Sequence, residues 1–202
     1  MNGYPVPASE AEVELRFKNS RFIGTAAPAT NADEAKAYIA SMRARFSDAS
    51  HHCYAFAAGF GATVVNGMSD DGEPSGTAGR PMLAVVQGAG LGDVVVVATR
   101  YFGGTKLGTG GLVKAYTETA QAAIAAVERI DKIETIGVMV ELAYEAYEVC
   151  KRHIESVGAQ IEAEDFGPHV TLILRLDEGC FKSLRTTLTD ATAGRARVEL
   201  IE

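Results

Sequence analysis

The stretch VVVVATRYFGGTKLGTGGLVKAY, residues 94–116, decides the fold. Its four valines are a β-branched run without polar alternation, the pattern of a strand covered on both faces. From Leu112 an apolar stripe through Tyr116, Ala120, Ala123, Val127 and Ile130 has helical spacing. It predicts a helix of roughly four to five turns. Between strand and helix stand Gly103, Gly104, Gly108, Gly110 and Gly111. Ordering a glycine costs more backbone entropy than ordering any other residue. The loop therefore either turns sharply or lets something approach its backbone closely.

Upstream, Val13, Leu15 and Phe17 alternate with charged residues and predict a half-buried strand, continued after a turn at 18–21 by the extended RFIGTAA. Asn31 before Ala32-Asp33-Glu34 is an N-cap with acids in the first turn, opening a helix with apolar residues at Ala35, Tyr38, Ile39, Met42 and Phe46. CYAFAAGF (53–60) reads as a buried strand, SDDGEPSGTAGRP (69–81) as an irregular loop, and PMLAVVQGAG as a short helix ending near Gly88. Downstream of Ile130 the period changes. Ile136, Val138, Val140 and Leu142 alternate, 144–157 is helical with Gly158 at the C-terminal cap, and 160–166 is extended. Val170–Leu176 alternates, Phe181, Leu184 and Leu188 mark a helix, and 196–200 a last strand. That order is the split, ferredoxin-like βαββαβ unit. An α+β chain of two domains, 1–132 and 133–202, is expected.

Several residues could carry chemistry. The glycine loop opens a helix whose first N–H groups attract anions, and Lys106 and Lys114 add charge. It fits neither the P-loop nor the dinucleotide GxGxxG pattern. A tight turn between closely packed backbones explains it equally well. In the loop at 69–81, Asp70, Asp71 and Glu73 are hard oxygen donors, but Asp-Gly is also a plain turn and the spacing is not that of an EF-hand. Ser75 and Thr77 can cap the next helix. The amides of Thr77–Gly79 can face an anion beside Arg80. Arg100, leaving a buried strand next to Tyr101 and Phe102, suits phosphate contact with base stacking, or an ion pair to one of the three acids. His51 and His52 diverge if extended, and Cys53 fits a small core residue. No metal site and no cofactor is assigned.

A net charge of −7 argues against a broadly basic nucleic-acid binder, so such contact needs a local basic patch. No apolar run reaches the roughly 20 residues of a membrane span. Without a secretory pattern, and with three cysteines in no CxxC spacing, a reducing cytoplasm is the expected location.

SDDGEPSGTAGRP followed by TRYFGGTKLGTGGLVKAY resembles the signature of the IMPACT/YigZ family, and KNSRFIG and SHHCYAF resemble its other marked segments. Asp70 to Pro74 and Gly76 to Gly79 match the first block. Arg100 to Gly104, Lys106 to Gly108, Gly110 to Leu112 and Lys114 to Tyr116 match the second. The likeness covers about residues 12–130, and the remainder resembles the small domain appended to bacterial members. It implies a core similar to a small-subunit ribosomal protein and to domain IV of elongation factor G, a left-handed βαβ unit on a mixed sheet. It also implies a small domain similar to domain V of that factor. Eukaryotic members act in translational control, and no agreed catalytic set comes with the family.

The expected function is a binding module for RNA, the ribosome or a translation-associated protein. The two loops would converge, with Arg80, Arg100, Lys106, Lys114 and the loop amides facing Asp70, Asp71 and Glu73, and Tyr101 and Phe102 offering stacking surfaces. The alternative is an enzyme that holds a small phosphorylated or nucleotide substrate on the glycine loop and Mg²⁺ on the acids. A plain protein–protein adaptor with architectural glycines is the third reading.

Overall fold

In the computed structural model, which describes residues 3–133 and 135–201, the chain divides into two units, Tyr4–Lys132 and the segment that begins at Ile133. The first contains β1 (Gly3–Pro7), β2 (Ala11–Phe17), β3 (Ser20–Pro28), α1 (Ala32–Arg45), β4 (His51–Ala58) and β5 (Val65–Ser69). It continues with α2 (Gly79–Gly88), β6 (Val94–Tyr101), α3 (Thr109–Ala126) and β7 (Arg129–Ile133). Asn31 caps α1 as its side-chain chemistry requires, its oxygen accepting from the Asp33 and Glu34 amides.

Five strands form one sheet in the order β2-β3-β6-β4-β5, while β1 and β7 pair separately. The valine run lies in the sheet's centre. Val94, Val96 and Ala98 pack with Met82, Leu112 and Tyr116 of α2 and α3; Val95 and Val97 pack with Ile39 and Met42 of α1. A strand sealed on both faces has no use for polar alternation, which is why none is present.

Every pair in this sheet is antiparallel, where the resemblance implied a mixed sheet. The reason is insertion. β3 and β4, joined through α1, run the same way but are separated by β6; β5 and β6, joined through α2, are separated by β4. A second correction concerns the stripe after Leu112. α3 ends at Ala126 because Val127 is extended (φ −71°, ψ 128°), and Ile130 lies in β7, half exposed.

The second unit comprises β8 (Thr135–Leu142), α4 (Tyr147–Ser156), β9 (Gln160–Phe166), β10 (Val170–Asp177), α5 (Phe181–Ala191) and β11 (Arg197–Ile201). Its antiparallel sheet has the order β11-β8-β10-β9, the ferredoxin-like arrangement. Val138, Val140, Leu172 and Leu174 meet Ile154 of α4 and Leu184 and Leu188 of α5 in its core.

Candidate binding site

The glycine loop is held by the turn between β2 and β3, which opens the KNSRFIG segment. Lys18, in a left-handed conformation (φ 53°), turns β2 into β3. It reaches across to donate from Nζ to the Lys106 carbonyl at 3.2 Å. Asn19 donates to the Thr105 hydroxyl, and the buried Ser20 hydroxyl accepts from the Gly103 amide and from Arg100. A Cβ on Gly103 would land on the Asn19 carbonyl, so here the approaching group is the protein's own backbone. Gly104 and Gly108 instead carry the turn, with φ near +80°. Gly110 does neither: among the described residues, no atom beyond its chain neighbours and its own helix backbone comes within 4 Å of where its Cβ would be.

The acidic loop meets the same end of β6, but its acids go to separate partners. The Asp70 carboxylate accepts from the Gly76, Ala78 and Gly79 amides at 2.8, 2.9 and 2.8 Å. The anion at the start of α2 is therefore Asp70 itself. Thr77 does not cap, because its hydroxyl donates to the Pro74 carbonyl. Asp71 accepts from Arg43 and from the His52 amide, each at 2.6 Å. Glu73 Oε1 accepts from Arg100 at 2.6 Å and from the Tyr116 hydroxyl at 2.7 Å. Among the described residues, no three acidic, histidine or cysteine side chains converge as a metal would need.

Partial burial pushes the Asp70 carboxyl up, and the three N–H donors outweigh it, leaving Asp70 below the ordinary carboxylate range. A folded-state value below the unfolded one stabilises the fold above the unfolded value, near pH 4 for aspartate. That contribution is lost as pH falls through the lower folded value. Asp70→Ala should cost about 1–2 kcal/mol, as loss of a helix cap does. In acid titration of urea stability, the difference between wild type and variant should shrink below about pH 4.

Arg100 departs most from its expected role. Its side chain is 6% exposed, and its guanidinium lies 5.5 Å from the ring centres of both Phe22 and Phe102. Its charge is spent on Glu73, because β6 carries it into the core rather than to the rim. Its Nε is buried and has no partner among the described residues. Tyr101 is likewise engaged, donating to Asp48 at 2.9 Å with the Arg21 guanidinium over its ring. Phe102 remains half exposed. His51 contacts the Asp71 carbonyl through Nδ1 and lies 3.9 Å from Glu73 through Nε2. Burial pushes the Cys53 thiol up to about 12, so it stays protonated and donates to the Asp70 carbonyl.

Between the loops lies a cavity of about 340 Å³ lined by Glu73, Pro74, Arg100, Phe102, Lys106, Leu107, Gly108, Thr109 and Leu112. α3 opens on it with Gly108 as cap and no side-chain capping bond. The amides of Thr109, Gly110 and Gly111 take no partner among the described residues. Of the residues singled out from sequence, Glu73, Arg100, Phe102, Lys106 and Gly108 line the cavity. Arg80, Asp70, Asp71 and Lys114 do not: Arg80 is exposed in the first turn of α2, and Lys114 points to Glu118 at 3.8 Å. Lys18, Asn19 and Ser20 were not assigned to the site from sequence, although KNSRFIG resembles a marked segment of the family; Leu107 and Thr109 stood in the glycine motif without a role of their own.

The family model described as the Impact N-terminal domain matches residues 18–124, and one described as a domain of unknown function matches 140–195. An IMPACT family member of Haemophilus influenzae is 36% identical over 100% of this chain and 98% of its own length. The IMPACT family member YigZ of Escherichia coli is 49% identical over 57% of each chain. A crystal structure titled as that of a hypothetical protein superposes with a TM-score of 0.74 at 34% identity, covering 100% of this chain and 98% of its own. With the motif loops, both sheets and these matches in agreement, the chain belongs to the IMPACT family.

Proposed function

We propose that this protein binds RNA in the service of translation, through the rim of the cavity between its two motif loops. One observation carries the reading. In a chain of net charge −7, the uncapped start of α3 presents free amides beside Lys106 and Lys18, with the half-exposed ring of Phe102 alongside. Amides and lysines suit phosphate, and an exposed aromatic face suits an unstacked base, the pairing that single-stranded RNA readers use. The phosphate contacts fall to Lys106, Lys18 and the amides of Thr109–Gly111, since Arg100 is committed to Glu73. The small basic area in an acidic molecule fits a selective contact rather than a general one.

Filter binding of single-stranded RNA across a salt series tests this. The wild type should bind at low salt, with log affinity falling linearly against log salt. Lys106→Ala should weaken binding to all sequences and lower the slope by about one. No retention at low salt would remove the reading, and capture of a protein partner insensitive to RNase would replace it with the adaptor.

A further inference from the structure

We propose that the second unit joins a second copy of this chain along β11, the two strands lying antiparallel about a two-fold axis at Val198. In the order β11-β8-β10-β9, β11 and β9 are the edges of that sheet. An edge strand offers unpaired N–H and C=O groups to an extended partner, and proteins block such edges with bulges and charges. β9 is blocked in both ways. Its register slips opposite Ile173 and Leu174, leaving Glu162 unpaired, and Glu162, Glu164 and Asp165 give it charges of one sign. β11, with the sequence RVELI, has an unbroken register, no proline and one charge of each sign.

The two faces of β11 follow from its register on β8. Val198 stands opposite Val140 and Leu200 opposite Val138, both in the core under the helices, so Val198 and Leu200 share that face. Arg197 opposite Glu141 and Glu199 opposite Met139 lie on the other. The helix layer stops short of the edge. Leu200 is 58% exposed, and a hollow of about 490 Å³ follows β11 past Phe181, Arg185, Thr189, Ala196 and Val198.

Charge selects the occupant. With the axis at Val198, Arg197 of each copy stands opposite Glu199 of the other, at the Cβ separation of about 4.5–5.5 Å where cross-strand pairs interact. Each Arg197 then lies between Glu141 of its own sheet and Glu199 of the other copy. On the helix side Val198 meets its own counterpart, and Leu200 meets Ala196 beside the hollow. Moving the axis to Arg197 or Glu199 sets like charges together, and placing it between residues sets charges against apolar side chains. The strand is thus complementary to itself, as a two-fold interface requires. The edges of the five-stranded sheet lack this property. On β2, Glu14 is held by Arg21 of β3 and Glu12 by Arg45 of α1. β5, VNGMS, has no charge and centres on Gly67, which leaves register weakly specified. Arg197 and Glu199 pair only with each other among the described residues, at 2.8 Å and with 63% and 44% exposure, so neither must leave another element to re-pair.

Sedimentation equilibrium of the full chain tests the inference, in a series reaching about 1 mM so that the weak association of a small interface is populated. The wild type should move from the mass of one chain toward that of two as concentration rises. Arg197→Glu and Glu199→Arg, both at exposed positions, should each stay at one-chain mass with the circular dichroism of the wild type, because like charges then face each other. Mixed in equal amounts they should associate again, since one presents two acids and the other two arginines. Amide hydrogen exchange along residues 196–200 of the wild type should slow as concentration rises. Wild type at one-chain mass throughout would overturn the inference and leave the edge to a strand of another protein. Dimers that persist in either single variant, a mixture that stays at one-chain mass, or β11 exchange that ignores concentration while the mass doubles would each overturn it as well.

Discussion

Gly103→Ala is expected to destabilise the fold of the first unit severely, while Gly110→Ala in the same loop is expected to leave it intact. At Gly103 the added methyl would occupy the position of the Asn19 carbonyl, and both partners are main chain, so no side chain can turn aside. Relief requires β3 and the glycine loop to separate, which also breaks the bonds from Ser20 to the Gly103 amide and to Arg100. Changes of this kind fall at the severe end of single substitutions, about 4 kcal/mol or more. In a protein of this size that lowers the melting temperature by roughly 8–16 °C. At Gly110 the methyl meets open space on the first turn of α3, and stability should rise by up to about 1 kcal/mol. Thermal unfolding followed by circular dichroism separates the two. A Gly103→Ala protein as stable as wild type would mean that the loop and the Asn19 turn do not meet as described.

The second large effect is in the Arg100–Glu73 pair. Both side chains are nearly sealed, at 6% and 4% exposure. Burying two charges costs solvation that their attraction only partly returns, yet removing one partner strands the other without water. Arg100→Met and Glu73→Gln should therefore each cost about 3–5 kcal/mol. The double variant should cost far less than the sum of the two, because no uncompensated charge remains. Urea denaturation of the four proteins gives the coupling directly. Single costs below about 1 kcal/mol, typical of surface pairs, would show that both groups are solvated.

The comparison of sequence with structure divides by range. What local chemistry decides was legible: the Asn31 cap, the unbroken valines, the alternation of Val170–Leu176 and the cap at Gly158. The helix after the glycine loop was legible at its start but not at its end. Val127 and Ile130 continue the helical period by coincidence, and no capping residue marked the exit at Ala126. The site was legible as a set of segments but not as partnerships. Three acids stood within reach of Arg100, and only the pairing of β4 with both β5 and β6 brings Glu73 to it. Asp70 looked like a free ligand because its partners are backbone amides six to nine residues on, which side-chain spacing does not reveal. The approach of Asn19 to Gly103 follows from sheet register, which a one-dimensional pattern does not contain.

The strand order has a consequence for how the chain acquires its structure. β6, at the centre of the sheet between β3 and β4, is the last of the five strands to be synthesised. Until Val94–Tyr101 emerges, β3 and β4 each carry an open hydrogen-bonding edge, and neither hydrophobic layer has its middle. The nucleus must then close long-range pairings instead of growing from neighbouring hairpins, a topology that folds slowly. A nascent chain halted before β6 is an aggregation hazard, with two unpaired edges in search of a third strand.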